Sequence, residues 1–152
     1  MILIAHRGLI NGPDSETENN PRTIMDAMEA GFDAEIDLQI GKDGRLYLGH
    51  DEPSYNISLD FLIQRGLWIH AKTVEALQFL TSNIPNTNYF YHQNDPMVIT
   101  TQGWIWVHPM HLENNLSMTR TIAVVPEYVM PIDKIKNLQV SGICSDYVGH
   151  LK

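Results

Sequence analysis

Two acids stand two residues apart in Ala34-Glu35-Ile36-Asp37-Leu38, inside a run with strand character. Positions i and i+2 of a strand share a face, so both carboxylates point the same way. Anions that close oppose each other's ionisation unless a cation lies between them, and a hard divalent ion such as Mg2+ or Ca2+ is the simplest partner. Glu-x-Asp is common on solvated strands and says little alone. A second pattern strengthens it, because short apolar runs repeatedly finish in an ionisable residue, at His6, His70, His92, His108, Glu127 and Asp146. In parallel α/β folds the carboxyl ends of strands are where ligands bind, and in a closed barrel they form one mouth. Imidazoles gathered there suit proton transfer near neutral pH. If repulsion between Glu35 and Asp37 dominates, truncating either should leave metal-free stability unchanged or slightly raised.

Placing these groups together takes strands of common direction. Residues 2–5 are apolar and followed by Gly8, which reads as a buried strand. Asn20 and Pro21 open a helix as N-cap and first helical residue, and Gly31 closes it. A second strand covers 34–38, and Lys42-Asp43-Gly44 turns it back along 45–49 to His50-Asp51. Ser58 caps a helix ending at Gly66, 67–70 is the third strand, and Thr73 caps a helix carrying Val74, Leu77 and Leu80. Further strands are expected at 89–92, 104–108, 122–127 and 142–146, with a helix over 131–138. This alternation predicts α/β with a mainly parallel sheet.

Composition narrows the partners. The 152 residues are 43% apolar and 18% charged, which fits one domain spanning 1–152 with a sizeable core. Residues 1–60 hold 12 acids and 4 bases, net -8, while 61–152 hold 6 of each. Nucleic acid, which needs a basic footprint, is therefore not expected as a partner. Cys144 is the only cysteine, so an internal disulfide is excluded and a reducing compartment fits. The apolar start runs straight into His6-Arg7 without the features of a signal peptide, and no run approaches the roughly 18 apolar residues of a membrane helix. A cytoplasmic protein without a membrane span is expected. Trp104 and Trp106 read as core, Met110, Met118 and Met130 as gap fillers, Cys144 as a buried structural thiol, and His111 and His150 as solvent-facing.

The motif order resembles the glycerophosphodiester phosphodiesterase family, a branch of the phospholipase C-like phosphodiesterase barrels. The family's His-Arg-Gly, Pro-Glu-Asn-Thr, Glu-x-Asp, Asp-Gly and His-Asp correspond to His6-Arg7-Gly8, Thr17-Glu18-Asn19-Asn20, Glu35-Ile36-Asp37, Asp43-Gly44 and His50-Asp51. Beyond residue 51 the likeness is looser: Trp68-Ile-His70-Ala-Lys72 is similar to its Glu-x-Lys strand, and Gly142-Ile-Cys-Ser-Asp146-Tyr147 to its closing strand. The resemblance implies a metal on Glu35 and Asp37, His6 and His50 as general acid and base, Arg7 and Lys72 on the substrate phosphate, and Glu18 and Asn19 in support. It implies a small phosphodiester substrate, whose own neighbouring hydroxyl attacks first to give a cyclic phosphate.

Three departures stand out. His70 replaces the family's third carboxylate, so either affinity for Mg2+ or Ca2+ falls, a metal such as Mn2+ or Zn2+ is preferred, or Glu127 completes the ligand set. Asn20 replaces a Thr, an N-cap for an N-cap. Only residues 52–67 stand where the family inserts a substrate cap. Eight βα units in 152 residues leave 19 each, against about 30 for a βαβ unit and about 250 residues for a full barrel. The expectation is a compact, pared-down TIM-type (β/α) barrel with seven or eight parallel strands, and helices shortened or missing around 93–103 and 109–121. Two rival readings accompany it: a metal-free cyclising phosphodiesterase in which His70 is no ligand, and a catalytically silent barrel that binds a phosphorylated ligand or partner.

Overall fold

A computed structural model describes residues 1–112 and 119–152 of the chain; Met118 lies outside the described residues. In chain order the elements are β1 (Ile2–Ala5), α1 (Pro21–Glu29), β2 (Asp33–Ile40), β3 (Leu46–Leu48), β4 (Tyr55–Asn56), α2 (Leu59–Leu62), β5 (Leu67–Ala71), α3 (Val74–Asn83), β6 (Tyr89–Phe90), β7 (Met97–Ile99), β8 (Ile105–Val107), β9 (Thr121–Val124), α4 (Ile132–Ile135) and β10 (Gly142–Ser145). The two longer helices start where side chains satisfy their free N–H groups. Asn20 accepts from the Arg22 N–H at 2.9 Å, and Thr73 accepts from the Ala76 N–H at 3.2 Å.

The strands form one curled, mostly parallel sheet of the TIM-barrel kind. Its parallel part runs in the order β6-β5-β2-β1-β10-β9-β8, with β3, β4 and β7 added antiparallel. Among the described residues no ladder joins β6 to β8. Thr101 spans that seam instead: its N–H donates to the Tyr89 carbonyl at 2.9 Å, and its Oγ1 accepts from the Tyr89 N–H at 3.0 Å.

Period-two alternation divides β2 between two environments. Ala34, Ile36 and Leu38 face outward into a core with Ile24, Leu67, Ile69, Ala76 and Leu80. Glu35, Asp37 and Gln39 face inward. Under them the inner face is filled by Ile4, Trp68, Phe90, Trp106, Ile122, Val124 and Cys144. Phe90 and Trp106 have ring centroids 4.6 Å apart, and Trp68 and Trp106 5.7 Å. This aromatic floor fixes the depth of the cleft above it, and burying each such ring contributes about 1.5–3 kcal/mol. Cys144 is buried there as a structural thiol, its pKa pushed well up by burial.

Several expected elements differ. The helix expected over 58–66 is only α2, and that over 131–138 only α4. The strand expected over 122–127 stops at Val124, because Val125 turns left-handed (φ 37, ψ 51) and Pro126 has no N–H to pair. Within 93–103 stands β7, an unexpected antiparallel strand. Met110 is 69% exposed rather than filling a gap, whereas Met130 packs against Ile135, Ile143 and Leu151. Among the described residues no helix is long and apolar enough to cross a membrane.

Candidate active site

The carboxyl ends of the parallel strands surround a cleft of about 610 Å³. Glu35 and Asp37 lie at its base, 2% and 1% exposed. The β2–β5 register sets Asp37 opposite His70, and His70 Nδ1 lies 3.0 Å from Asp37 Oδ1 and 4.0 Å from Glu35 Oε1. The ligand atoms of these three residues fall within 4.8 Å of one another. Asp37 is also surrounded by donors. Asn19 Nδ2 donates to its Oδ2 at 2.9 Å, Arg7 Nε lies 3.3 Å from Oδ2 without hydrogen-bond alignment, and Lys72 Nζ lies 3.6 Å from Oδ1. Burial alone would raise the Asp37 pKa, but the His70 hydrogen bond and the charges of His70, Lys72 and Arg7 pull it well below the usual range. Glu35 goes the other way: burial and the Asp37 charge push it up. Two buried carboxyls and an imidazole, one carboxyl short of compensating charge, fit a divalent cation.

The turn after β1 brings His6 and Arg7 to the same place. Arg7 takes a left-handed conformation (φ 53, ψ 26), which aims its N–H at Glu35 Oε2, 3.1 Å away. Gly8 follows at φ 82, where a Cβ would sit 2.9 Å from Ile24 Cγ1, so only glycine fits. The Arg7 guanidinium donates to Glu18 Oε2 at 2.8 Å. Glu18 thus contacts Arg7, and Asn19 contacts Asp37. The Asn19 Oδ1 also accepts from the Asp37 N–H at 2.9 Å.

His6 Nδ1 lies 2.7 Å from Asp146 Oδ1, and Nε2 lies 4.0 Å from Glu35 Oε2. Burial works to lower the His6 pKa, but the Asp146 hydrogen bond and the Glu35 and Asp146 charges raise it on balance. His50 reaches the cleft from the end of β3, at the rim, with Nδ1 2.8 Å from Asp51 Oδ1. Gly49 sets that approach: a Cβ there would meet the Glu52 carbonyl oxygen at 2.0 Å, and its N–H donates to the Asp37 carbonyl at 3.0 Å. Met97, Val98, Trp106, Val124 and Val125 add apolar lining to the cleft, and His108 and His111 line it as well.

Residues 6–150 match the Glycerophosphoryl diester phosphodiesterase family. The chain belongs to this family. With membership comes its class of reaction, phosphoric diester hydrolysis. No curated protein matches. Among solved structures, a glycerophosphodiester phosphodiesterase from Agrobacterium tumefaciens str. C58 is 15% identical, with a TM-score of 0.61 over 99% of this chain and 97% of that one. Another, from Thermotoga maritima, is 16% identical, with a TM-score of 0.54 over 98% of this chain and 96% of that one. At such identities the likeness shows a common fold.

Not every candidate residue falls where the sequence pointed. Among the described residues Glu127 is not part of the Glu35, Asp37 and His70 group; its Oε1 accepts from Ser145 Oγ and the Asp146 N–H, each at 2.9 Å. His111 is half-buried and lines the cleft, while His150 is exposed. Trp106 is core and also cleft wall. The sequence marks Asp146 and His92 as strand-end residues at the mouth without assigning a role to either. His92 stacks on His70, centroids 4.4 Å apart and planes 2° from parallel.

Proposed function

We propose that this family member cleaves a glycerol-type or related small phosphodiester with a divalent ion held by Glu35, Asp37 and His70. One observation carries the reading: the three ligand groups lie within 4.8 Å at the base of a cleft that His6 and His50 also line. The ion supplies charge stabilisation to the phosphoryl oxygens. Two carboxylates favour Mg2+ or Ca2+, and His70 extends the range to Mn2+ and Zn2+.

The remaining work belongs to the chain's own groups. Lys72 and Arg7 face the phosphate with fixed positive charge as negative charge grows at phosphorus. His6 and His50 share the proton transfers, one taking the proton of the attacking hydroxyl and the other giving one to the leaving alkoxide. Asp146, on Nδ1, holds His6 in the tautomer that presents Nε2 to the cleft. The unit is a single domain over 1–152, a pared-down barrel in which, among the described residues, no α-helix stands between β6 and β9. Its single buried cysteine suits the reducing cytoplasm, and the proposed substrate class suits a role in lipid metabolism.

The test is hydrolysis of a soluble glycerophosphodiester after exhaustive chelation, then with each ion added back, alongside calorimetric ion binding. Activity should vanish on chelation, return with an added ion, and follow the ion affinity of Glu35→Ala. Full activity of the chelated protein, or equal ion affinity in wild type and Glu35→Ala, would sink the metal assignment.

A further inference from the structure

Glu127 is half-buried and lies in the chain between cleft-lining Val125 and Tyr128, yet it is not part of the Glu35, Asp37 and His70 group. Its Oε1 accepts from Ser145 Oγ and from the Asp146 N–H, both at 2.9 Å. Ser145 Oγ in turn accepts from the Tyr147 N–H at 3.0 Å, and the Asp146 carbonyl accepts from the Gly12 N–H at 2.8 Å. One carboxyl oxygen thus holds Ser145 and Asp146 directly and reaches Tyr147 through the Ser145 hydroxyl, where the chain leaves β10. The middle one is Asp146, whose Oδ1 reaches His6 Nδ1 at 2.7 Å.

Two observations set this apart from ordinary packing. Glu127 Oε2 is buried with no hydrogen-bond partner among the described residues. A buried acceptor left unmade costs stability, so retaining a carboxyl here is not explained by a gain in stability. The chain also reaches Glu127 through Val125, a β-branched residue in the left-handed region, pinned by its N–H to the Cys144 carbonyl at 2.8 Å. Such conformations persist only where the surroundings over-determine them, and they cluster at functional sites.

We infer that Glu127 is a positioning residue that acts through Asp146 to hold the His6 imidazole. The inference rests on the proposed proton-transfer role of His6. By fixing the backbone of Asp146, Glu127 fixes the direction of the Asp146 carboxyl. That carboxyl selects the Nδ1–H tautomer, which leaves Nε2 facing the cleft.

The experiment uses the full chain with a soluble glycerophosphodiester. It reads kcat, KM and the downfield proton resonance of the His6 Nδ1–H, assigned by its loss in His6→Ala. Glu127→Gln keeps an oxygen that can accept both bonds, so kcat should stay within about threefold. Glu127→Ala should lower kcat by about 10–100-fold with KM within about twofold, and weaken or abolish the resonance. In an Asp146→Ala background the same change should cost less than about twofold, since the two residues act in series. Wild-type kcat with the resonance retained in Glu127→Ala overturns the inference, and so do penalties that multiply in the double variant. If Glu127→Ala does not fold, Ser145→Ala removes one of the two donors. It should cost about two- to fivefold in kcat and move the resonance, and no change in either overturns the inference. Full activity of His6→Ala would instead overturn the proton-transfer reading. The resonance then decides on Glu127 by itself: retained in Glu127→Ala, positioning is refuted; lost, it stands.

Discussion

Two seams of the barrel each join an imidazole to a carboxyl, and they use the pair differently. Between β1 and β10, His6 meets Asp146 at 2.7 Å; between β2 and β5, His70 meets Asp37 at 3.0 Å. At the first seam Asp146 serves one imidazole, which keeps its other nitrogen for the cleft and holds its proton more tightly than usual. At the second, Asp37 is shared among His70, Lys72, Arg7 and Asn19. A carboxyl with several cations around it is the anchor of a charge cluster, whereas one with a single partner is free to tune a proton carrier.

The sharpest way to break this contrast is to remove the anchor. Asp37→Ala removes the central anion from His70 and from the half-buried Arg7 and Lys72, leaving Arg7 its Glu18 partner, and unpairing buried charge costs up to about 3–5 kcal/mol. Urea unfolding should report a loss of that size without any metal present. This reverses the simple repulsion argument from the Glu-x-Asp spacing, which counted the two acids but not the cations that the fold brings to one of them. Loss below about 1 kcal/mol would mean that the cluster is not a net stabiliser.

Next in size is the proton carrier. His6→Ala should lower turnover by about 10²–10⁴-fold, the range for a positioned proton-transfer group. Wild-type turnover should follow a bell-shaped pH profile, and either single histidine variant should lose one limb. Rates unchanged in both His6→Ala and His50→Ala would leave neither seam with a proton carrier.

Glu35 sharpens the comparison because its shift is opposite to that of Asp37. Its folded pKa is raised by burial and by Asp37, so the folded state holds the Glu35 proton longer than the unfolded chain. Its contribution is full below the unfolded pKa of about 4.3 and is lost as pH rises through the folded pKa. Asp37, with its pKa lowered, contributes above its unfolded value near 3.9 and loses that as pH falls. Metal-free Glu35→Gln should therefore be at least as stable as wild type at pH 7, with the gap closing towards pH 4. A variant less stable than wild type across that range would show that the Glu35 charge is already compensated.

What could be read beforehand follows the same division. Glu35 and Asp37 were legible because strand periodicity alone puts them on one face, and His6, Arg7 and His50 because they sit in short local motifs. The His6–Asp146 pair joins residues 140 apart, and only the β1–β10 register brings them together. Glu127 is an open alternative in the sequence for a related reason: its direction depends on Val125 turning left-handed, which no residue type announces. The helices expected over 58–66 and 131–138 were overextended, because capping residues mark where a helix starts more firmly than how far packing carries it. β7 escaped notice because three apolar residues among polar ones give no period to read.

The smallest effect belongs to His92, which stacks on His70 and so borders the second seam. Burial first, then the charges of His70 and Lys72, lower its pKa to about 4, so it is neutral at pH 7. A histidine with a depressed pKa contributes stability above its unfolded pKa of about 6.5 and loses it as pH falls through the folded value. His92→Gln removes the stacked ring, which should cost about 0.5–1.5 kcal/mol at pH 7. As pH falls from about 6.5 towards 4, wild type must either charge His92 against His70 and Lys72 or forgo the proton, and the variant faces neither demand. Unfolding free energies of the two proteins should therefore converge over that window and cross at its acid end. A gap that stays constant with pH would mean that His92 titrates as it does in the unfolded chain, and that the ring stack is held by packing without any charge exclusion at the Asp37 seam.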